Sequence, residues 1–296
     1  MPVTRSQRSQ AARWTRIPLA GGGQETLLSE VGFVLLPLFT TRDACALRLV
    51  CREFLAAVSE HQWEDRGTVI KGSIAAWRAC FPHARCANVQ KWVKGDGPNQ
   101  RAAPVVDADF VHFEGLRELY MACCGDVTDA AFLRLRGVHT LDMSGCNQVA
   151  ITDAAFAHLV GIQRLSIWAC RQATITDAAF AHLRGIQLLN INGCFQLTDA
   201  AFVHLRGIHT LYMWGCRQPS ITDAAFVHLR GIHTLVMERC DQASITGASF
   251  SFLKGACMLA MHGCSDAIIA TAQSLGLPVL TEGGEGGALK YEPAGR

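Results

Sequence analysis

Residues 207–216 read GIHTLYMWGC, and close copies stand at 137–146 (GVHTLDMSGC) and 231–240 (GIHTLVMERC). Glycine, leucine, methionine and cysteine recur, whereas the residues after leucine and methionine change. Aligning Gly115, Gly137, Gly161, Gly185, Gly207, Gly231 and Gly255 gives spacings of 22, 24, 24, 22, 24 and 24 residues. A period this regular marks a solenoid of stacked units.

The two halves of a unit carry different periods. In Leu211-Tyr212-Met213 two apolar residues flank a variable one, and the same alternation recurs at 119–121, 141–143, 165–167, 189–191, 235–237 and 259–261. Alternation of that kind predicts a short strand with one buried face. In the segment 222–229, TDAAFVHL, Phe226 and Leu229 are three apart, and Ile221 lies just before them, which predicts a short helix with one buried stripe. Thr222 is placed to cap that helix, and Asp223 sits where the helix dipole favours an anion. Arg230 and Gly231 are expected to close it, as a cation near the carbonyl end and a glycine in the left-handed conformation. Neither half buries its apolar face alone, so the constant letters specify a stack with a continuous apolar column.

The array frays at its ends. Residues 106–115 are a degenerate helix half with 86–89 as a candidate strand, and 265–280 keep an apolar rhythm without the motif. The expected organisation is a basic disordered tail at 1–24, a helical segment at 25–66, a helical linker at 67–85, a solenoid at 86–280 and a loose tail at 281–296. The chain has 296 residues, half of them hydrophobic, which is enough for a large core. Net charge is only +2, and Arg5, Arg8, Arg13 and Arg16 of the tail supply more than that, so no basic body invites nucleic acid. Thirteen cysteines with no secretory opening read as thiols of a reducing interior. No apolar run is long enough to span a bilayer.

The repeat unit resembles the cysteine-containing leucine-rich repeat: Leu-x-Leu-x-x-Cys followed by Ile/Leu-Thr-Asp is matched in six units from 119 to 242, with Gly247 replacing the aspartate once. The resemblance implies an α/β leucine-rich-repeat horseshoe, with parallel strands on the concave face and short helices on the convex one. Upstream, residues 27–65 resemble an F-box through Leu27, Glu30, Leu35, Leu36, the helix start at Asp43, the run Leu49-Val50-Cys51-Arg52, Phe54 and Trp63. The motif's opening Leu-Pro stands here as Leu27-Leu28, and Pro37 implies a break in the first helical stretch. The F-box resemblance implies docking on a Skp-type adaptor of a cullin–RING ubiquitin ligase through Leu27, Glu30, Leu35, Leu36, Leu47, Val50, Cys51, Phe54 and Trp63. Such near-identical units also resemble multicopy genes of large DNA viruses of amoebae, as well as eukaryotic ones. Either source implies the cytosol or nucleus of a eukaryotic cell.

The titratable residues recur as copies of one position rather than as a site. Cys124, Cys146, Cys170, Cys194, Cys216, Cys240 and Cys264 share one repeat position, as do His158, His182, His204 and His228, and Asp129, Asp153, Asp177, Asp199 and Asp223. A catalytic or metal site needs different residues in different roles, whereas these are one residue copied in one role. No catalytic residue, metal or cofactor is therefore expected. The variable strand positions are expected to face solvent and bind a protein: Tyr120, Asp142, Arg164, Trp168, Asn190, Asn192, Tyr212, Trp214, Glu238 and His262. The expected function is a substrate-recognition adaptor of an SCF-type ligase, with Skp-type adaptor and cullin as partners and a target protein on the repeats. The alternative is a repeat scaffold or decoy without a ligase.

Overall fold

The computed structural model describes residues 35–90, 92–93, 97–98 and 104–281. Leu27, Glu30 and the tails 1–24 and 282–296 lie outside the described residues. The chain divides into two compact units, the boundary falling between Asn88 and Val89.

In the first unit a tight turn at Leu36–Leu38, with Pro37 in its first positions, precedes helix α1 (Thr41–Leu47). Proline sets φ for such a turn and cannot extend a helix that precedes it. Thr40 and Asp43 form the reciprocal cap expected at the start of α1, each side chain accepting from the other's backbone N–H. Helices α2 (Arg52–Glu60) and α3 (Ile74–Cys80) follow, then strand β1 (Cys86–Asn88). Leu36, Ala44, Val58, Trp63, Phe81 and Ala84 form the core of the unit. The Trp63 indole donates to the Val58 carbonyl at 2.8 Å and stands edge-on to Phe81 at 5.6 Å. Leu36 and Trp63, expected as adaptor contacts, are 3% and 1% exposed. So small a unit has few large apolar side chains, and it must spend them on its interior. The stretch expected as a linker contributes Phe81 and Ala84 to that same core.

The second unit is the solenoid. Its strands at Glu118–Tyr120, Thr140–Asp142, Arg164–Ser166, Leu188–Asn190, Thr210–Tyr212, Thr234–Val236, Met258–Ala260 and Val279–Leu280 lie side by side in chain order, each parallel to the next. The register holds equivalent residues opposite one another, so Leu119, Leu141, Leu165, Leu189, Leu211, Leu235 and Leu259 form one fully buried row. Phe110, Phe132, Phe156, Phe180, Phe202, Phe226 and Phe250 form a second, also fully buried.

The helix halves are shorter than expected. Most are a single α-turn, Asp129–Phe132, Asp153–Phe156, Asp199–Phe202 and Asp223–Phe226, and three are 3₁₀ turns, Asp107–Phe113, Asp177–His182 and Phe250–Leu253. A unit this short must return to its strand after one turn. Arg230 consequently lies past the helix rather than in its last turn, and its guanidinium rests over the Phe252 ring at 5.3 Å. Gly207 and Gly231 have φ of 81° and 82°, the left-handed turn expected of them.

Thr222 caps its turn as expected, accepting from Ala224 N at 3.1 Å. The aspartate does more than complement a dipole. Asp199 reaches into the next unit, accepting from Thr222 N at 2.8 Å and from Thr222 Oγ1 at 2.6 Å. The same pair of bonds joins Asp107 to Thr128, Asp129 to Thr152, Asp153 to Thr176 and Asp177 to Thr198. Asp223 holds Thr246 likewise and closes the ladder. At the next step stands Gly247, where an added Cβ would lie 2.9 Å from Thr271 Cγ2 of the terminal helix Asp266–Ser274, which accounts for the lapse in the motif. Asp199→Ala should lower stability by about 1.5–3 kcal/mol, since it removes two hydrogen bonds to a charged group and leaves the Thr222 N–H unpaired. Asp199→Asn, which keeps an acceptor, should cost less. Urea melts of the two variants measure the difference.

Candidate functional site: the outward face of the repeat sheet

The cysteines show first what the repeat positions do. Each ladder thiol from Cys146 onward points back across the stack to a strand-end carbonyl of the preceding unit, as Cys194 does to Ile167 O at 3.1 Å and Cys240 to Met213 O at 3.1 Å. All are free thiols, and those from Cys146 to Cys240 are fully buried. Burial pushes the Cys170 and Cys216 thiols up to about 12, so they stay protonated and act as donors. Glutamines two residues further on repeat the device: Gln172 and Gln218 amides donate to Cys146 O and Cys194 O at 2.9 and 3.0 Å. Among the described residues no cluster of three or more His, Cys, Asp or Glu is placed to hold a metal, and no helix is long and apolar enough to cross a membrane.

On the outward face the register aligns two variable rows. The first runs Tyr120, Asp142, Ser166, Asn190, Tyr212, Val236, Ala260. The second, two residues on, runs Ser144, Trp168, Asn192, Trp214, Glu238, His262. Its backbone bonds continue the ladder, with Gly145 N donating to Trp168 O, Ala169 N to Asn192 O, Gly193 N to Trp214 O, Gly215 N to Glu238 O and Arg239 N to His262 O. Arg164, before its leucine, is half-buried on the same face.

The expectation that these side chains face solvent holds for only part of the set. Trp168 is 51% exposed, and Asn192, Tyr212, Trp214 and His262 are half-buried. Tyr120, Asp142, Asn190 and Glu238 are buried, at 3%, 9%, 2% and 6% exposure. Parallel strands lie about 4.8 Å apart, so in-register side chains touch sideways and large members shade short ones.

Polar groups within the face are tied to one another. Asp142 Oδ1 accepts from both the backbone N–H and the hydroxyl of Ser144, whose oxygen lies 2.8 Å from Ser166 Oγ. Asn192 Oδ1 accepts from Trp214 N at 2.6 Å. Burial raises the Asp142 carboxyl above its ordinary value, and the two bonds from Ser144 only partly offset this. A carboxyl raised by folding favours the native state below its unfolded value, and that contribution is lost as pH rises through the folded value. Asp142→Asn should therefore raise the melting temperature at pH 7, and the gain should vanish at acidic pH where the wild-type carboxyl is protonated. Melting curves across pH test this.

A further column, not singled out from the sequence, borders this face. Arg171, Phe195, Arg217 and Asp241 each follow the repeat cysteine. The Arg171 guanidinium lies over the Phe195 ring at 5.2 Å, and Phe195 is itself 47% exposed. Arg217 pairs with Asp241 at 3.1 Å. Arg239 lies over Trp214 at 5.6 Å and has φ of 54°, where Gly145, Gly193, Gly215 and Gly263 occupy the same repeat position. Extending the alignment of variable columns past the cysteine finds all but Arg239.

No family model matches the chain, and no curated protein matches it. Solved structures do. The TLR13–ssRNA13 complex superposes with a TM-score of 0.50 at 14% identity, over 71% of this chain and 33% of that one. The complex of Rad7 and Elc1 in yeast gives a TM-score of 0.39 at 17% identity, over 49% of this chain and 42% of that one. The chain thus spans about a third of the length of the first and under half of the second. At these identities the likeness is one of fold. With the parallel register and the buried leucine, phenylalanine and cysteine rows, the likeness to the first of these establishes the second unit as a leucine-rich-repeat solenoid.

Proposed function

We propose that this protein is a non-catalytic recognition subunit of an SCF-type ubiquitin ligase. Its first unit serves as an F-box docking a Skp-type adaptor and through it a cullin, and its repeats hold a target protein. The observation that carries the reading is the number of large apolar side chains left uncovered on the first unit. Leu38 is 78% exposed, Leu49 62%, Leu35 41% and Leu55 40%, although the unit's own core is complete without them. Exposed large apolar side chains in such number on so small a helical unit support an interaction site. Leu47, Val50, Cys51 and Phe54 of the expected contact set are half-buried. On the repeats, Trp168, Phe195 and the ring-stacked arginines have the composition of a protein-binding surface, rich in aromatic residues and arginine. The subunit's contribution would be effective concentration, holding a target beside enzymes supplied by other subunits.

The test is purification of full-length protein and a Leu38→Asp, Leu49→Asp double variant from eukaryotic cells, with bound adaptor and cullin quantified. Both leucines are exposed, so each substitution should change stability by no more than about 0.5 kcal/mol. Recovery of adaptor and cullin should fall at least about tenfold, the loss of a little over 1.4 kcal/mol of binding. Equal recovery by both proteins, or none by either, removes the ligase and leaves a repeat scaffold.

A further inference from the structure

Glu238 is placed where a carboxylate is costly. It is 6% exposed, and its Oε2 has no hydrogen-bond partner among the described residues. Burying a charge without a partner is strongly unfavourable, and native structures keep such groups where something else supplies the partner. Its neighbour Arg239 does not neutralise it. The Arg239 guanidinium is over the Trp214 ring, and its backbone is held in the left-handed region. A Cβ on Gly263 would lie 3.0 Å from Arg239 Cγ, so glycine on the next unit leaves room for this stem.

The register places Trp214 and His262 on either side of Glu238 in its row. Trp214 on the preceding unit, its ring already covered by the Arg239 guanidinium, offers an apolar wall for the stem of a long side chain. His262 on the following unit has Nδ1 2.9 Å from the Thr281 carbonyl. A carbonyl only accepts, so Nδ1 carries the proton, and in the neutral ring Nε2 is left as an acceptor. An unpaired carboxylate oxygen and an imidazole acceptor on adjacent units, beside an indole, match a side chain with an apolar stem and a donor-rich cationic end.

We propose that Glu238, with Trp214 and His262 beside it, is the seat for a lysine or arginine side chain of a partner segment lying across the outward face of the sheet. This rests on the reading of that face as the protein-binding surface, and it adds the partner's chemistry. The buried carboxylate would be retained because its charge is satisfied in the complex, at a cost to the free protein.

The experiment uses full-length protein, its Glu238→Gln variant, and four sets of short synthetic peptides randomised except for a central Lys, Arg, Gln or Glu. Wild type should hold the Lys and Arg sets about tenfold or more tighter than the Gln and Glu sets, and Glu238→Gln should erase that difference. The variant should melt no lower than wild type, because it keeps the shape and removes an unpaired charge. Peptide binding that ignores the central charge, or a basic preference that survives Glu238→Gln, overturns the inference while leaving the binding surface standing. No retained peptide from any set overturns both. A variant that melts below wild type also overturns it, since Glu238 would then have a structural partner.

Discussion

Phe226→Ala is expected to lower the stability of the solenoid by about 3–5 kcal/mol, the range for deleting a buried aromatic ring. Phe226 is fully buried in the phenylalanine row and stands edge-on to Phe250 at 5.1 Å, so the substitution removes buried area and a ring pair together. The Phe226–Phe250 pair joins adjacent units, and in a solenoid such interfaces hold the units to one another. Trp168→Ala provides the contrast. It removes a larger side chain, yet Trp168 is half exposed, and the cost should stay near about 0.5 kcal/mol. Thermal and urea melts of the two variants should therefore rank against side-chain size. Equal losses would place Trp168 in the core and contradict the orientation of the outward rows.

A second large effect should come from register. Removing residues 185–206 deletes one unit and leaves every ladder with a partner of the right kind. The strand Thr210–Tyr212 then meets Arg164–Ser166 in place of Leu188–Asn190, with Leu211 beside Leu165. Asp177, which holds Thr198 in the intact chain, is then offered Thr222, and the Cys216 thiol is offered the Ile167 carbonyl that Cys194 used. Such a protein should still melt cooperatively, a few degrees lower for the lost unit. Removing only residues 185–195 deletes the strand and its turn but keeps the following helix half. Strand Arg164–Ser166 would then have no correctly spaced partner, and the Asp177 ladder would run into a misplaced neighbour. That variant should lose cooperative melting and expose its apolar rows, read by circular dichroism and dye binding. Indistinguishable melts for the two deletions would exclude the stacked-unit architecture.

Both expectations rest on features of different visibility in the amino-acid sequence. The period, the Leu-x-Met strands, the Thr222 cap and the left-handed glycines were all legible in the sequence. Each is a local preference repeated in copies, and repetition separates a constant structural letter from a variable one. The Pro37 break and the helix start at Asp43 were legible for the same reason, since the groups that fix them lie within four residues.

The tertiary structure alone decided matters that depend on residues some 20 positions apart or more. The aspartate after each threonine looked like a dipole partner for its own turn. Its carboxylate instead binds the threonine of the next unit, because stacking brings Asp199 and Thr222 together across 23 residues. Alternation placed Tyr120, Asp142, Asn190 and Glu238 on the outward face, but it could not show that they would be buried there. In the first unit, motif position counted Leu36 and Trp63 among the docking residues, while core volume claimed both and left Leu38 and Leu49 outside. Repeating local patterns determined that a solenoid forms and which letters build it. Which of the remaining side chains stay accessible was settled by lateral packing, a property of the assembled sheet and core that no single stretch of sequence contains.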